Sequence, residues 1–239
     1  MAATCIELAP GVYRLPTMGS FINSFAFVDG DDSVTLVDCG LKRAPARIVA
    51  GLASIGKHPK DVTRIVLTHA HPDHAGGAAA MIDATGVGGV EAHDADVQYL
   101  RAGASPPRDA TTTSGRIFAR MPDNGFQKVS VAQVLHDGDV IPVAGGIRVV
   151  HTPGHTPGHV SLLHASSAVL ITGDSIFNMA ARRTWPMAAF CTNFEQSKQT
   201  AAVLADLEYD VAAFTHGPEI RVNAREQIRS FLRKKADRD

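Results

Sequence analysis

Four side chains that can bind a metal ion lie within six consecutive residues of this chain: His69, His71, Asp73 and His74. Imidazole and carboxylate groups are the ligands that suit zinc and neighbouring transition metals. The close spacing prevents all four from binding one ion without strain. In a turn that leaves a strand, the two leading histidines can point the same way, whereas Asp73 and His74 come after Pro72 has redirected the chain. The pattern therefore predicts two metal ions, each bound by one pair.

A simpler interpretation is a histidine-rich surface loop in which Asp73 caps a helix over residues 75–82. This simpler interpretation, and a chance occurrence of the pattern, are disfavoured because further residues of ligand type follow downstream, each where a strand-like segment ends. These residues are His155, Asp174 and His216. Asp38 ends a fourth such segment, and it can either bind a metal or accept the far N–H of a ligand histidine. Each residue alone is more typical of a turn, but together they predict a converging site.

Taken in order, these residues resemble the metallo-β-lactamase-fold hydrolase superfamily, especially its glyoxalase II and lactonase-like members, over nearly the whole chain. The resemblance implies two ligand sets and a bridging residue: His69, His71 and His155 for one metal, Asp73, His74 and His216 for the other, and Asp174 between them. Asp38 is similar to the aspartate that supports a ligand histidine in this family.

Six other histidines are excluded from the ligand sets: His58, His93, His136, His151, His159 and His164. His151 and His159 flank His155 at intervals of four residues, so spacing alone does not select among the three. The family pattern selects His155, the residue after its Pro-Gly. His159 is left without an assigned role.

The resemblance implies two Zn²⁺ ions, with iron or manganese as alternatives. Two divalent ions lower the pKa of a shared water and polarise an electrophilic carbonyl. A hydroxide held between them would attack a small ester, thioester or lactone, and Asp73 would act as the catalytic residue that receives the proton. A serine nucleophile is not required.

Other activities in the superfamily remain as alternatives. Glutathione thioester hydrolases carry a helical extension, whereas a short segment follows His216 here. Acyl-homoserine lactonases typically have a tyrosine at the position that matches Phe177, which disfavours that activity without excluding other esters. β-Lactamases usually have Cys or Ser at the position of Asp174, which disfavours antibiotic hydrolysis. A persulfide dioxygenase with one iron is the main alternative from another enzyme class, and β-lactam hydrolysis is less favoured. An intact ligand set also disfavours a binding protein with an inactive site.

Four residues that follow the bridging aspartate are candidates for substrate binding: Phe177, Arg182, Arg183 and Trp185. The single tryptophan suits a pocket wall, and either arginine could bind a substrate carboxylate or phosphate. The alternative is that the arginines are exposed loop charges.

Composition fits an ordinary enzyme that acts on a small molecule. The chain has 239 residues, a net charge of −1 and 45% hydrophobic residues, which predicts a single domain over residues 1–239. This charge gives no reason to expect nucleic acid or a membrane as partner, and a homodimer is compatible with the sequence. No stretch resembles a signal or a bilayer span, and Cys5, Cys39 and Cys191 form no CxxC pattern, so we expect a cytoplasmic protein with reduced cysteines.

The elements that must position the site alternate between strands and helices. Hairpins are predicted over residues 11–38, helices over 44–55, 75–84 and 95–100, and strands over 64–68 and near 90. Residues 103–124 lack periodicity and predict a loop or lid insertion. Strands then follow at 139–143, 147–150, 160–164, 169–172 and 211, with helices over 195–207 and from 223. Strands followed by helices in each half predict an α/β (α+β) fold, an αββα four-layer sandwich with the metals at one sheet edge.

Overall fold

A computed structural model describes residues 5–118, 120, 125–143, 145–180 and 182–236. Fourteen strands form two large sheets and one hairpin in this part of the chain. The first sheet contains β1 (Ile6–Ala9), β2 (Val12–Pro16), β3 (Asn23–Val28), β4 (Val34–Val37), β5 (Val62–Val66), β6 (Val90–His93) and β7 (Val131–Leu135), side by side in that order. The second half contributes β8 (Val140–Ile141), β9 (Ile147–His151), β10 (Val160–His164), β11 (Val169–Ile171), the hairpin strands β12 (Phe177–Met179) and β13 (Arg182–Thr184), and β14 (Val211–Ala213).

The second sheet has the order β14-β11-β10-β9-β8. Its β11 and β14 are parallel, as are β4 to β7 of the first sheet, whereas the remaining neighbours are antiparallel. Parallel strands covered on both faces read as continuous apolar runs, and all four residues of β4 are buried. Most of the candidate ligands follow the carboxyl ends of these parallel strands, and His155 follows the antiparallel strand β9.

Seven helices complete the described chain: α1 (Pro45–Ser54), α2 (Pro72–Ala75), α3 (Ala78–Thr85), α4 (Asp94–Ala102), α5 (Thr113–Phe118), α6 (Phe194–Thr200) and α7 (Ala224–Ala236). None of the described helices is both long and apolar enough to cross a bilayer.

Three apolar clusters show how the layers stack. Between the sheets, Phe25 and Phe27 of the first pack with Val149 and Leu162 of the second. The outer face of the first sheet is buried with Ile48 and other residues of the α1 and α3 layer, and the outer face of the second with residues of α7. Helices therefore cover both outer faces of two stacked sheets, and the predicted αββα sandwich is confirmed.

Several local predictions differ from the structure. The helix expected over 75–84 is divided into α2 and α3 at Gly76 and Gly77. Gly77 lies so near the loop after β4 that a Cβ on it would be 2.3 Å from the carbonyl oxygen of Cys39. This close approach packs the metal-binding segment against the loop after β4. The helix expected over 195–207 ends as α6 at Thr200 and continues as a 3₁₀ helix over Ala201–Ala205.

The insertion expected at residues 103–124 contains a helix, α5, in its middle. Residues 119 and 121–124 of this prediction lie outside the described residues. Gly103 ends α4 in a left-handed conformation with φ of 71°, so the insertion leaves the fold directly at a helix end. Its side chains line one wall of the cavity described below.

Candidate metal centre

The seven candidate ligands converge although they come from four separate segments. His69 and His71 lie in the loop after β5, and α2 begins at Pro72 and carries Asp73 and His74. Proline at the start of a helix needs no N–H partner there, so the sequence itself sets the point where the loop becomes helix. The remaining ligands follow strands of the second sheet: His155 after β9, Asp174 after β11 and His216 after β14.

Three overlapping groups of possible ligand atoms form at this edge, and one of them, His69, His74 and Asp174, shares a histidine with each of the other two. His69, His71 and His155 form the first of these other two groups, and Asp73, His74 and His216 form the second, with all ligand atoms of a group within 4.8 Å of one another. In the first group, His71 Nδ1 lies 2.9 Å from His155 Nε2. In the second, Asp73 Oδ2 lies 3.3 Å from His216 Nε2 and 3.7 Å from His74 Nε2.

The carboxylate of Asp174 lies between the two groups. Its Oδ2 is 3.1 Å from His155 Nε2 in the first group and 3.3 Å from His216 Nε2 in the second. Its Oδ1 is 3.4 Å from His74 Nε2 and accepts a hydrogen bond of 2.7 Å from the Thr215 hydroxyl. A single carboxylate can therefore contact ions bound at both groups.

The far nitrogen of each histidine that presents Nε2 has a neighbour that can accept its proton. His74 Nδ1 lies 2.8 Å from Asp38 Oδ2, and His216 Nδ1 lies 2.6 Å from the carbonyl oxygen of Phe21. His155 Nδ1 lies 3.5 Å from the sulfur of Cys191. An Nδ1–H bonded in this way leaves the Nε2 lone pair directed at the centre, which is the tautomer that a metal ligand requires.

Asp38 supports ligands of both groups. Its Oδ1 accepts the backbone N–H of Thr68 at 2.8 Å, and its Oδ2 accepts the Thr68 hydroxyl at 2.7 Å as well as His74 Nδ1–H. The same hydroxyl lies 3.1 Å from His69 Nδ1 and can accept the proton there. Through one carboxylate and one hydroxyl, the fully buried Asp38 thus sets the orientation of His69 and His74.

Buried atoms of the cluster fit a divalent metal. Nε2 of His69 and Nε2 of His74 are buried, and neither has a hydrogen-bond partner. Buried polar atoms in proteins are nearly always satisfied, so two unpartnered nitrogens facing carboxylates fit a site that binds a cation. Nitrogen donors with carboxylates are the set that zinc and similar metals prefer.

The electrostatics of the two groups differ. Burial, together with the nearby His155, lowers the pKa of His71 to about 3, so the His71 imidazole is kept neutral. Burial opposes protonation of His74 and His216 too, but carboxylates including Asp174 raise the pKa of His74 to about 9 and that of His216 to about 11. The second group therefore attracts positive charge, which a bound metal would supply in place of protons.

Burial alone would raise the pKa of the Asp174 carboxyl, but the surrounding histidines, led by His216, hold it well below its usual value. The pKa of Asp73 is lowered as well, because the nearby His74 and His216 outweigh the effect of burial. Both carboxyls are therefore ionised at neutral pH. Ionised carboxylates are the form that binds metal.

A comparison with family models matches residues 18–236 to the metallo-beta-lactamase superfamily. The chain belongs to this superfamily. The match spans every candidate ligand, so the resemblance noted from the sequence is confirmed at the level of the family.

Curated relatives within the superfamily carry hydrolase names. A probable metallo-hydrolase, YybB of Bacillus subtilis, is 29% identical over 88% of this chain and 84% of its own length. An N-acyl homoserine lactonase from a Bacillus species is 32% identical over 55% of this chain and 45% of its own. A hydroxyacylglutathione hydrolase of Cereibacter sphaeroides is 32% identical over 55% and 41%.

Among solved structures, the Rm3 metallo-beta-lactamase superposes with a TM-score of 0.75 over 98% of this chain and 92% of its own. Its 19% identity supports a shared fold and nothing finer. Membership in the superfamily, the hydrolase relatives and the buried histidine and aspartate groups together identify the chain as a metallo-hydrolase.

A cavity of about 960 Å³ opens onto the centre and reaches His71, Asp73, His155, Asp174 and His216. Phe177, the first of the proposed substrate-binding residues, lines it, with its ring 4.4 Å from that of His216. Arg182, Arg183 and Trp185 are not among the described lining residues. The hairpin of β12 and β13 turns the chain away, and Trp185 packs on Phe231 of α7 at 4.8 Å between ring centroids.

His159 proves to position Asp174. Its Nε2 accepts the backbone N–H of Asp174 at 2.7 Å, and its Nδ1 lies 3.0 Å from the carbonyl oxygen of Thr152. Gly173 makes this approach possible, since it has φ of +55° and a Cβ there would lie 2.5 Å from His159 Nε2. Spacing in the sequence gave no signal for this role.

Asp96, a fully buried carboxylate in the first turn of α4, was not predicted from the sequence. Its Oδ2 accepts the backbone N–H of Ala70 at 2.9 Å and the Thr156 hydroxyl at 2.7 Å, and its Oδ1 accepts the N–H of Gly158 at 2.7 Å. Ala70 lies between two ligand histidines, and Thr156 follows a third. Asp96 therefore ties together the two loops that form the first ligand group.

We expect Asp96→Ala to lower both metal affinity and stability. Three buried donors would lose their acceptor, which should reduce the free energy of unfolding by about 3 kcal/mol. Metal affinity should fall by about tenfold or more, as for other groups that hold ligands in place. Titration calorimetry with zinc and denaturant unfolding of the metal-free protein measure the two effects.

Asp94→Ala, an exposed carboxylate in the same helical turn, is the matched control and should change neither quantity. Asp96→Asn, which keeps one acceptor oxygen, should fall between the two. Wild-type zinc affinity in a folded Asp96→Ala protein would contradict the assignment.

His151 lies outside the centre, in a second histidine cluster. Its ring stacks on that of His93 with centroids 3.8 Å apart, and His136 lies 6.3 Å from His93. Burial is the largest cause that lowers the pKa of His93 to about 4, and the two neighbouring imidazoles add to it. Asp94 and Asp137 oppose this shift without outweighing it. Protonation of His93 is therefore disfavoured in the folded state.

This lowered pKa predicts a loss of stability in acid. Since an unfolded histidine has a pKa of about 6.5, the unfolded chain binds the extra proton as pH falls from about 6.5 towards 4. Over this window His93 should account for about 1 kcal/mol of lost stability, less than the full shift because its neighbours are partly exposed. His93→Asn keeps a helix-capping acceptor but cannot titrate. Denaturant unfolding at pH 7.5 and 4.5 should show a smaller loss in the variant, and equal losses would refute the prediction.

Proposed function

We propose that this chain is a dinuclear metal hydrolase that cleaves a small ester, thioester or lactone. The observation that carries the proposal is the carboxylate of Asp174, whose oxygens approach histidines of both ligand groups within 3.1 to 3.4 Å. A chain that binds one ion has no need of a second complete group on the far side of that carboxylate.

In this proposal one ion would be held by His69, His71 and His155 and the other by Asp73, His74 and His216, and Asp174 would serve both groups. Zinc is the expected metal, and iron or manganese are the alternatives that the same donors accept. When bound, such ions would lower the pKa of a water molecule and polarise a substrate carbonyl.

The chain's own groups then orient the reactants and move the proton. Asp73 lines the cavity, and its carboxylate is 31% exposed, whereas Asp174 is buried. Water adds to the carbonyl carbon, and Asp73 accepts the proton that the water releases. The bond to the leaving oxygen or sulfur then breaks, and the leaving group takes up the proton held by Asp73, which yields a carboxylic acid and an alcohol or thiol and restores the Asp73 carboxylate.

The proposed bond types draw on the relatives and on the cavity. The curated relatives include a lactonase and a hydroxyacylglutathione hydrolase, which act on lactone and glutathione-conjugate substrates by their names. Phe177 offers an apolar face beside His216. Because it lacks the hydroxyl group that a tyrosine would have, it would contact the substrate without donating a hydrogen bond to it.

The first test is elemental analysis of the purified, unchelated protein together with a panel of chromogenic ester, thioester, lactone and β-lactam substrates. About two zinc ions per chain, with ester, thioester or lactone turnover that a chelator abolishes and added zinc restores, would support the proposal. One iron per chain with oxygen consumption on a persulfide would overturn it. Turnover confined to β-lactams would reject the proposed bond types while keeping the metal pair.

A further inference from the structure

The cavity beside the metal centre has mainly apolar walls. Met18 and Phe21 reach it from the loop between β2 and β3, Phe126 from the segment that follows the insertion, and Met187 and Phe190 from the segment before α6. Phe21 and Met187 are 58% and 56% exposed, which is unusual for side chains this apolar. Exposed apolar side chains gathered around a cavity mark a binding site for an apolar group.

Two cationic side chains, Lys42 and Arg108, interrupt this apolar lining. The carboxylates in the lining, Asp73 and Asp174, belong to the metal centre. Within the described ranges, neither cation forms an ion pair with a carboxylate. An apolar cavity with positive charge that the protein leaves unneutralised complements a ligand that carries negative charge.

Arg108 is held in place for such a contact. Its Nη1 donates a hydrogen bond to the carbonyl oxygen of Phe118, and its guanidinium carbon lies 5.7 Å from the centre of the Phe190 ring. Phe118 in turn packs edge-on against Phe190, with centroids 5.6 Å apart. The guanidinium therefore keeps a fixed position over an aromatic ring, with most of its five N–H groups available to an oxyanion.

The segment that carries Arg108 is anchored by its neighbour. Asp109 donates its backbone N–H to the carbonyl oxygen of Cys191 at 2.6 Å, and its Oδ2 accepts the N–H of Phe194 at 2.8 Å. The adjacent carboxylate is thus engaged by backbone and leaves Arg108 unpaired. An arginine that is already fixed and has no carboxylate partner loses less side-chain entropy when a ligand binds than a flexible one does, so it contributes more to the affinity for an anionic ligand.

From this geometry we propose that the substrate carries an apolar chain and a terminal carboxylate, and that Arg108 binds that carboxylate while the ester, thioester or lactone group lies at the metals. The inference rests on the proposed function. It narrows the substrate to amphipathic acids, since the apolar walls accept the chain and the guanidinium accepts two carboxylate oxygens in parallel.

The test compares two chromogenic esters of equal chain length. One is 4-nitrophenyl octanoate, and the other is the mono-4-nitrophenyl ester of octanedioic acid, in which a carboxylate replaces the terminal methyl group. The wild-type enzyme should have a higher kcat/KM for the carboxylate-bearing ester. In Arg108→Met the ratio of the two kcat/KM values should fall by about tenfold, the loss of a charge-assisted contact. Arg116→Met, at an exposed arginine of α5, is the matched control and should leave the ratio unchanged.

A second measurement needs no variant. Because the contact lies at a cavity open to solvent, salt should screen it. Raising the salt concentration of the wild-type assay should therefore lower kcat/KM for the carboxylate-bearing ester more than for 4-nitrophenyl octanoate. An equal ratio in wild type and Arg108→Met, or a salt effect common to both esters, would overturn the inference while leaving the proposed function intact. Absence of chelator-sensitive hydrolysis of either ester would overturn both.

Discussion

Replacing Asp174 with alanine is expected to abolish turnover, with kcat/KM lower by on the order of 10³-fold or more, equivalent to about 4 kcal/mol of transition-state stabilisation. The carboxylate lies 3.1 Å from His155 Nε2 and 3.3 Å from His216 Nε2, and it contributes the negative charge between the two ligand groups. Without it, the five ligand histidines of the two groups are left with only the carboxylate of Asp73, on one side. Steady-state kinetics on a chromogenic ester and metal content by elemental analysis would measure both losses.

The matched control is Asp210→Ala, which removes an exposed carboxylate before β14 and should keep wild-type activity and metal content. Circular dichroism at 25 °C should show the same secondary structure in all three proteins, because Asp174 lies at the sheet edge and outside the apolar clusters. An active Asp174→Ala protein with full metal content would refute the proposed bridging role.

The residues that form the centre could be predicted because each signal was local. His69 to His74 form a dense pattern, and the other candidates each end a short apolar strand, where a sheet edge gathers them. The layered fold followed from the same alternation of strands and helices. Asp96 could not be found in this way, since its role depends on three donors from two distant loops that only the folded chain brings together.

Proximity in sequence was misleading beside Asp174. Trp185 follows it closely along the chain, yet the hairpin of β12 and β13 carries this ring to α7. The edge strand β7 was missed because its middle residues are exposed and show no alternation of burial. The short α5 was missed because six residues are too few to display a helical period.

The buried polar contacts behind the ligands hold the ligand side chains in position independently of a bound metal. Asp38, Thr68, Cys191 and the carbonyl oxygen of Phe21 each face the far nitrogen of a ligand histidine. Each contact fixes a tautomer as well as a position, so the cost of arranging the ligands is met largely in folding. Changing a tautomer without changing shape is therefore a sharper test than deleting a side chain.

Asp38→Asn is expected to remove bound metal while leaving the fold in place. The amide oxygen can still accept the N–H of Thr68, which places the NH₂ group where Oδ2 receives His74 Nδ1–H and the Thr68 hydroxyl. Two donors would then face each other, and His74 relieves the conflict by carrying its proton on Nε2. That nitrogen can no longer bind metal. The Thr68 hydroxyl must also turn its proton towards His69 Nδ1, which affects the other ligand group.

For this variant we expect less than one metal per chain and a loss in kcat/KM of about 100-fold or more, the upper range for groups that orient ligands. The free energy of unfolding of the metal-free protein should change by about 1 kcal/mol, because the shape and most hydrogen bonds survive. Asp38→Ala instead leaves three donors without an acceptor, and it should lose both metal and about 3 kcal/mol of stability. Asp31→Asn, on an exposed turn, controls for loss of charge alone. Full metal content in Asp38→Asn would show that tautomer control by this carboxylate does not govern the centre.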